Sequence, residues 1–205
     1  MENRDILNES VQDLENSNFS NGIVQDNKLI FTIGDKTYRV RMPIQSEQSS
    51  IDHKRNLAQL EYLNQEGCIT RKQLTQKLKD LNLFDMDKIE SQKNQLIKEF
   101  KQAQFILATS SNNSFAIGEC KLKIEIIKNE LKNIAINTSI QLAPSLESRL
   151  EKFIIEYTTF LVTDIQDGKE WKRVWETNEE FQKADSGLVE RCAANITWLL
   201  LNHQG

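Results

Sequence analysis

Chemistry at a protein site commonly needs a histidine, a reactive thiol, paired carboxylates or a glycine-rich phosphate cradle. The chain has two histidines, His53 and His203. His53 stands beside Lys54 and Arg55 at a helix start, and His203 is close to the end of the sequence. A zinc site needs about four convergent ligands at set spacings, and neither histidine has such a framework of Cys, Asp or Glu. Cys68, Cys120 and Cys192 are odd in number, far apart and in no CxxC pair, which in a reducing compartment reads as buried thiols. Cys68, after Gly67, is the most reactive by position, yet burial is the expectation there too. No serine has the surroundings of a nucleophile elbow. Gly34 belongs to a turn and not to a phosphate loop. Glu179 and Glu180 read as a helix surface, and no calcium-loop pattern occurs. Triads or carboxylate pairs gathered from distant segments stay open to the sequence. The expectation is a chain with no enzymatic activity, no cofactor and no metal.

What remains is binding, and composition bounds its kind. The 205 residues suggest one domain or two small ones. Hydrophobic residues at 39% allow a core but a lean one, while seven glycines and two prolines leave long helices unbroken. The net charge is −4 with both signs interspersed. Lys121, Lys123, Lys128 and Lys132 alternate with Glu119, Glu125 and Glu130, so this stretch reads as a solvated helix face and not a nucleic-acid stripe. No run approaches the roughly 18–20 apolar residues of a membrane span. Met1 to Asp13 is acidic and polar, unlike a signal peptide, so the chain is expected in a cytosol, where the sequons at Asn112 and Asn195 carry little meaning.

Along the chain, residues 1–22 read as a flexible polar arm with weak apolar spacing at Ile6, Val11 and Leu14. Residues 23–45 read as a β-hairpin. Lys28 to Ile33 and Thr37 to Met42 are β-rich, with turn residues Gly34-Asp35-Lys36 between them and Pro43 after them. A lone hairpin is marginal in water, so it must pack on helices, gain a strand such as Ile23-Val24, or pair with another subunit. Gln45 to Ser50 reads as a polar linker to a helical domain, 46–205. There Leu57, Leu60, Tyr62 and Leu63 share a helix face, and Gly67 stops the helix. Thr70 and Gln73 form a capping box for a second helix striped by Leu74, Leu78 and Leu81. This helix–turn–helix lacks the basic start that DNA reading favours.

The strongest signal is a long helical hairpin at about 86–141. Ile89, Leu96 and Ala103 repeat at seven, with Met86, Phe100 and Leu107 as companions and Lys93 as a break. After the polar turn Thr109 to Ser114, Ile117, Ile124, Leu131 and Thr138 repeat at seven beside Cys120, Ile127, Ile134 and Gln141. Such a seam faces a partner helix, so the pair predicts an antiparallel hairpin of two roughly 25-residue helices. Whether the seam closes within one chain or between copies of a homo-oligomer is open. Pro144 suits the first turn of a helix striped by Leu146, Leu150, Phe153, Ile154, Tyr157, Phe160 and Leu161. Asp167-Gly168 closes it. Trp171, Val174, Trp175 and Phe181 follow at helical spacing, and a last helix from about Ser186 turns Leu188, Cys192, Ile196, Leu199 and Leu200 inward. The fold expected is mainly α: a helical bundle around the long hairpin, with a small N-terminal β-hairpin.

The residues that could contact partner proteins are Ile30, Phe31, Tyr38 and Val40 on the β-hairpin, and Trp171, Trp175 and Phe181 near the C-terminus. Aromatic anchors suit interfaces; core packing is the alternative for each.

The string His53-Lys54-Arg55, then Glu66-Gly67-Cys68-Ile69-Thr70-Arg71-Lys72-Gln73-Leu74, then Asn137-Thr138, an aromatic-rich helix, and Trp171 and Trp175 before a final helix resembles tail assembly chaperones of tailed bacteriophages across about residues 50–205. The resemblance implies a protein that holds other phage tail proteins, such as the tape measure or tube components, soluble in the host cell cytoplasm until assembly. It implies no active site; that there is no nucleic-acid partner and no membrane is the expectation from the charge pattern and the lack of a long apolar run. A permanent virion protein of tail, neck or baseplate, with arm and hairpin interlocking subunits, is the other expectation.

Overall fold

A computed structural model of the chain describes residues 23–25, 27–109 and 114–202. The arm at 1–22, the turn residues 110–113 with Asn112, and His203 lie outside the described residues. The chain is mainly helical with an N-terminal antiparallel hairpin, as its periodicities predict. Strands β1 (Ile23–Gln25), β2 (Lys28–Ile33) and β3 (Lys36–Arg41) lead into α1 (Gln45–Leu63), α2 (Arg71–Asp80), α3 (Met86–Thr109), α4 (Ser114–Leu142) and α5 (Leu146–Val162). Then come β4 (Thr163–Asp167), β5 (Glu170–Arg173), α6 (Asn178–Gln182) and α7 (Ser186–Asn202). The chain divides into two compact units, one of them Glu66–Arg149 and the other made of the residues before and after it.

In the unit built from both chain ends, the hairpin is not alone. Among the described residues five antiparallel strands pair in chain order, β1 to β5. Ile23 and Val24 supply the edge strand that the lone hairpin required, opposite Ile30 and Leu29. On the other side β4 aligns Thr163, Asp164 and Ile165 with Val40, Arg39 and Tyr38. The helical spacing expected at Trp171, Val174 and Trp175 is therefore corrected: Trp171 is in strand β5, paired with Gln166, and the two residues after that strand are non-helical. The β2–β3 and β4–β5 turns are alike. Gly34 and Gly168 begin two-residue turns at φ +61° and +63°, a conformation that glycine takes without steric cost and that matches strand twist.

Alternation then sorts the sheet's faces. Leu29, Phe31, Tyr38 and Val40 point into the core and meet Phe160, Leu161 and Val162 of α5 and Cys192, Ile196 and Leu199 of α7. The sequence stripes of α5 and α7 are buried at Leu146, Leu150, Phe160, Leu161, Cys192, Ile196 and Leu199, and partly buried at Phe153, Ile154, Tyr157, Leu188 and Leu200. Helix α5 passes directly into β4, and Thr163 marks the change: its hydroxyl donates to the Thr159 carbonyl at 2.7 Å. Pro144 precedes this helix and its first turn, as the helix begins at Leu146. The expected linker at Gln45 to Ser50 is instead the start of α1. Ile44 has no side-chain oxygen to cap it, but the Glu47 carboxylate reaches back to the Ile44 N–H at 3.0 Å, which satisfies one orphan donor.

In the unit Glu66–Arg149, the capping box forms as read. The Gln73 N–H donates to the Thr70 hydroxyl at 3.3 Å and the Thr70 N–H to the Gln73 side chain at 3.0 Å. Leu74, Phe84 and Leu142 make one small core. The long hairpin of α3 and α4 makes another, where Leu96 and Phe100 bury against Ile127, flanked by Ile124, Leu131 and Ile134. The heptad seam is therefore closed within one chain.

Candidate protein-interaction surfaces

The residues singled out from the sequence separate by the face they occupy. Phe31, Tyr38 and Val40 lie on the inward face of β2 and β3, at most 6% exposed. Phe31 and Tyr38 stack on each other at 5.8 Å. Trp175 and Phe181 are also core residues. Their rings meet edge to face at 4.9 Å, and Phe181 touches Phe160 at 5.9 Å. Ile30 and Trp171 lie across the sheet on its other face and keep partial exposure.

That outer face is organised by charge. Arg39 donates to Asp164 at 2.6 and 3.0 Å through two nitrogens, and its guanidinium lies 4.5 Å over the Trp171 ring. Arg41 grips both oxygens of Glu47, at 2.7 and 2.8 Å. Arg173 reaches the same carboxylate at 3.2 Å. The Asp164 and Glu47 side chains are only 7% and 9% exposed. The hydrogen bonds from Arg41 hold the Glu47 carboxyl below the usual glutamate range, against the opposing effect of burial. Three cations and two carboxylates thus tie the start of α1 to β3, β4 and β5. Each acid is satisfied by fork-shaped donors, so the cluster is a structural clamp. Trp171 is held flat against it, a positioned aromatic at the β5 edge.

The titratable groups met first in the sequence are placed as follows. Cys192 is fully buried, and its desolvation pushes the thiol up to about 12, which removes the thiolate that chemistry would need. Cys68 and Cys120 are free and partly exposed. Among the described residues no group of three or more His, Cys, Asp or Glu could hold a metal. Asn195, of the sequon, is 1% exposed inside α7. A groove of about 490 Å³ beside α2 is lined by Arg71, Lys72, Lys79, Asp87 and Glu147. Within it Lys79 pairs with Asp87 and also reaches Asp85, and the Arg71 backbone N–H donates to Glu147 at 2.6 Å. Among the described residues no helix is long and apolar enough to cross a membrane.

The surface that sequence reasoning placed elsewhere is on α1. Of Leu57, Leu60, Tyr62 and Leu63, which spacing puts near one helix face, Tyr62 is partly buried and the three leucines are 47%, 60% and 50% exposed. The buried positions of that helix are Glu47, Ile51 and Ala58. Periodicity alone found the row of leucines but not whether anything covers it. An exposed row of large aliphatic side chains forgoes about 25 cal/mol for each Å² left uncovered. No family model matches the chain, and no curated protein or solved structure matches it either.

Proposed function

We propose that this chain is a non-catalytic protein-binding protein that assists phage tail assembly, holding a tail protein soluble until it is built in. The observation that carries the binding part is the leucine row of α1: Leu57, Leu60 and Leu63 project from a helix clamped at its other end by Arg41 and Glu47. A rigid helix with an apolar outer row fits a partner that presents apolar surface of its own. The tail-assembly part draws on the resemblance across about residues 50–205. The second reading, a virion structural protein, is supported by the sheet, whose outer strands β1 and β5 are paired on one side among the described residues, a geometry to which a neighbouring subunit could add a strand.

The test is affinity capture from cells producing the phage tail proteins, read by mass spectrometry. The native chain should retain a tail protein, and a chain with Leu57→Ser, Leu60→Ser and Leu63→Ser should lose it at least tenfold while keeping its helical spectrum. Host proteins alone in the eluate would sink the reading. Recovery of the chain in purified particles would decide for the virion alternative.

A further inference from the structure

Helix α4 carries two heptad rows, and among the described residues one of them is packed. Ile124, Ile127, Leu131 and Ile134 face α3. Leu122, Ile126, Asn129, Asn133, Ile136 and Ile140 follow the same alternating three- and four-residue spacing, about 200° round the helix at 100° per residue. All six are exposed, and the four aliphatic ones are 60%, 50%, 47% and 62% exposed. A row with this spacing matches a second helix in a left-handed pair.

The row also has internal symmetry. Leu122 and Ile140, Ile126 and Ile136, and Asn129 and Asn133 lie in pairs equidistant from Leu131. An antiparallel copy of α4 centred there sets Leu122 on the partner's Ile140 and Ile126 on the partner's Ile136. It also sets Asn129 on the partner's Asn133. Every apolar layer meets an apolar layer, and the central amides hydrogen-bond each other. An unrelated helix would have to supply two polar layers at those same heights, or leave the amides unpaired at a cost. We infer that α4 docks through this outer row on α4 of a second copy, antiparallel, to form a homodimer.

Orientation follows from charge and dipole. A parallel pair would set Glu125 against the partner's Glu130 on both flanks and align the helix dipoles, whereas an antiparallel pair opposes the dipoles. The antiparallel pair leaves one Glu130 contact with its own copy and one Lys132 contact with its own copy, on opposite flanks. Salt that screens these strengthens the association. The row spans roughly 27 Å at 1.5 Å per residue, a small interface, so the dimer forms with concentration. This contact is separate from the α1 row and does not depend on it.

The experiment is sedimentation velocity of the full chain from low to high micromolar, at low and moderate salt. A monomer–dimer equilibrium that tightens with salt is expected. Ile126→Glu with Ile136→Glu should weaken it at least about a hundredfold, with an unchanged far-ultraviolet circular dichroism spectrum because both positions are exposed. With Cys68 and Cys120 replaced by serine, a mixture of Asn129→Cys and Asn133→Cys chains should form a disulfide that neither chain forms alone. A monomer at every concentration, an unaffected double variant, or a disulfide within Asn133→Cys alone would overturn the inference. So would a tail-protein helix bound through Ile126 and Ile136 to a monomeric chain.

Discussion

Glu47 concentrates three tasks in one carboxylate. It accepts from Arg41 and Arg173 and caps the Ile44 N–H. Its folded pKa is depressed, chiefly by the Arg41 hydrogen bonds. A depressed acid contributes stability that is fully present above its unfolded value, near 4.3, and that is lost as pH falls through the folded value. The native chain should therefore lose stability on acidification below about pH 4, as followed by urea midpoints. Glu47→Gln should lower stability by about 2–3 kcal/mol at neutral pH, since two guanidinium groups lose their counter-charge, and should flatten that acid limb. An unchanged acid limb in the variant would show that another group governs it. From sequence, Glu47 was one acid in a polar stretch read as a linker. Its partners come from β3 and from β5, and no local pattern announces a pairing with Arg173.

At the scale of elements, the helices were legible because their apolar positions recur at heptad and helical spacing regardless of context. The β4–β5 pair was not. Ile165, Gln166 and Asp167 alternate weakly, and Trp171 and Trp175 fit a helical period as well as a strand. The Gly168-Lys169 turn was a usable signal, because it repeats the glycine-first pattern of Gly34-Asp35. The two rows of α4 give a direct contrast. Ile127 is 3% exposed and its neighbour Ile126 is 50% exposed. Ile127→Ala should cost about 2–4 kcal/mol through the cavity it leaves, whereas Ile126→Ala should cost under about 0.5 kcal/mol in the monomer. Thermal and urea unfolding at low protein concentration measure both. Equal costs would mean that the assignment of inner and outer rows is wrong.

At the scale of the whole molecule, one unit is continuous in sequence and the other is not. Residues Glu66–Arg149 hold their own cores, and the Leu146 N–H donates to the Ile69 carbonyl at 2.8 Å across the base of that unit. The sheet needs both ends of the chain, since β4 and α7 complete the core that β2 and β3 begin. A chain ending at residue 149 should keep helical hydrogen-exchange protection in α3 and α4 but lose it in β2 and β3. Protection retained in those strands would contradict the shared core. This division cuts the expected helical domain 46–205: its two ends share the core of the sheet, where Ile51 joins Phe160 and Ile196, and its middle, Glu66–Arg149, forms cores of its own.

By itself the sequence determined the helix periods, the capping box at Thr70, the hairpin turn at Gly34 and the inward stripes of α5 and α7. Each depends on residues close in the chain, where spacing and side-chain chemistry act directly. Only the tertiary structure decided that Phe31, Tyr38, Val40, Trp175 and Phe181 are spent in the core while Ile30 and Trp171 are not. It also decided that Leu57, Leu60 and Leu63 face water, and that α4 buries one heptad row and exposes another. Periodicity puts an apolar row on one side of a helix or strand. Whether that side meets protein or solvent depends on elements brought from elsewhere in the chain, and spacing carries no record of them.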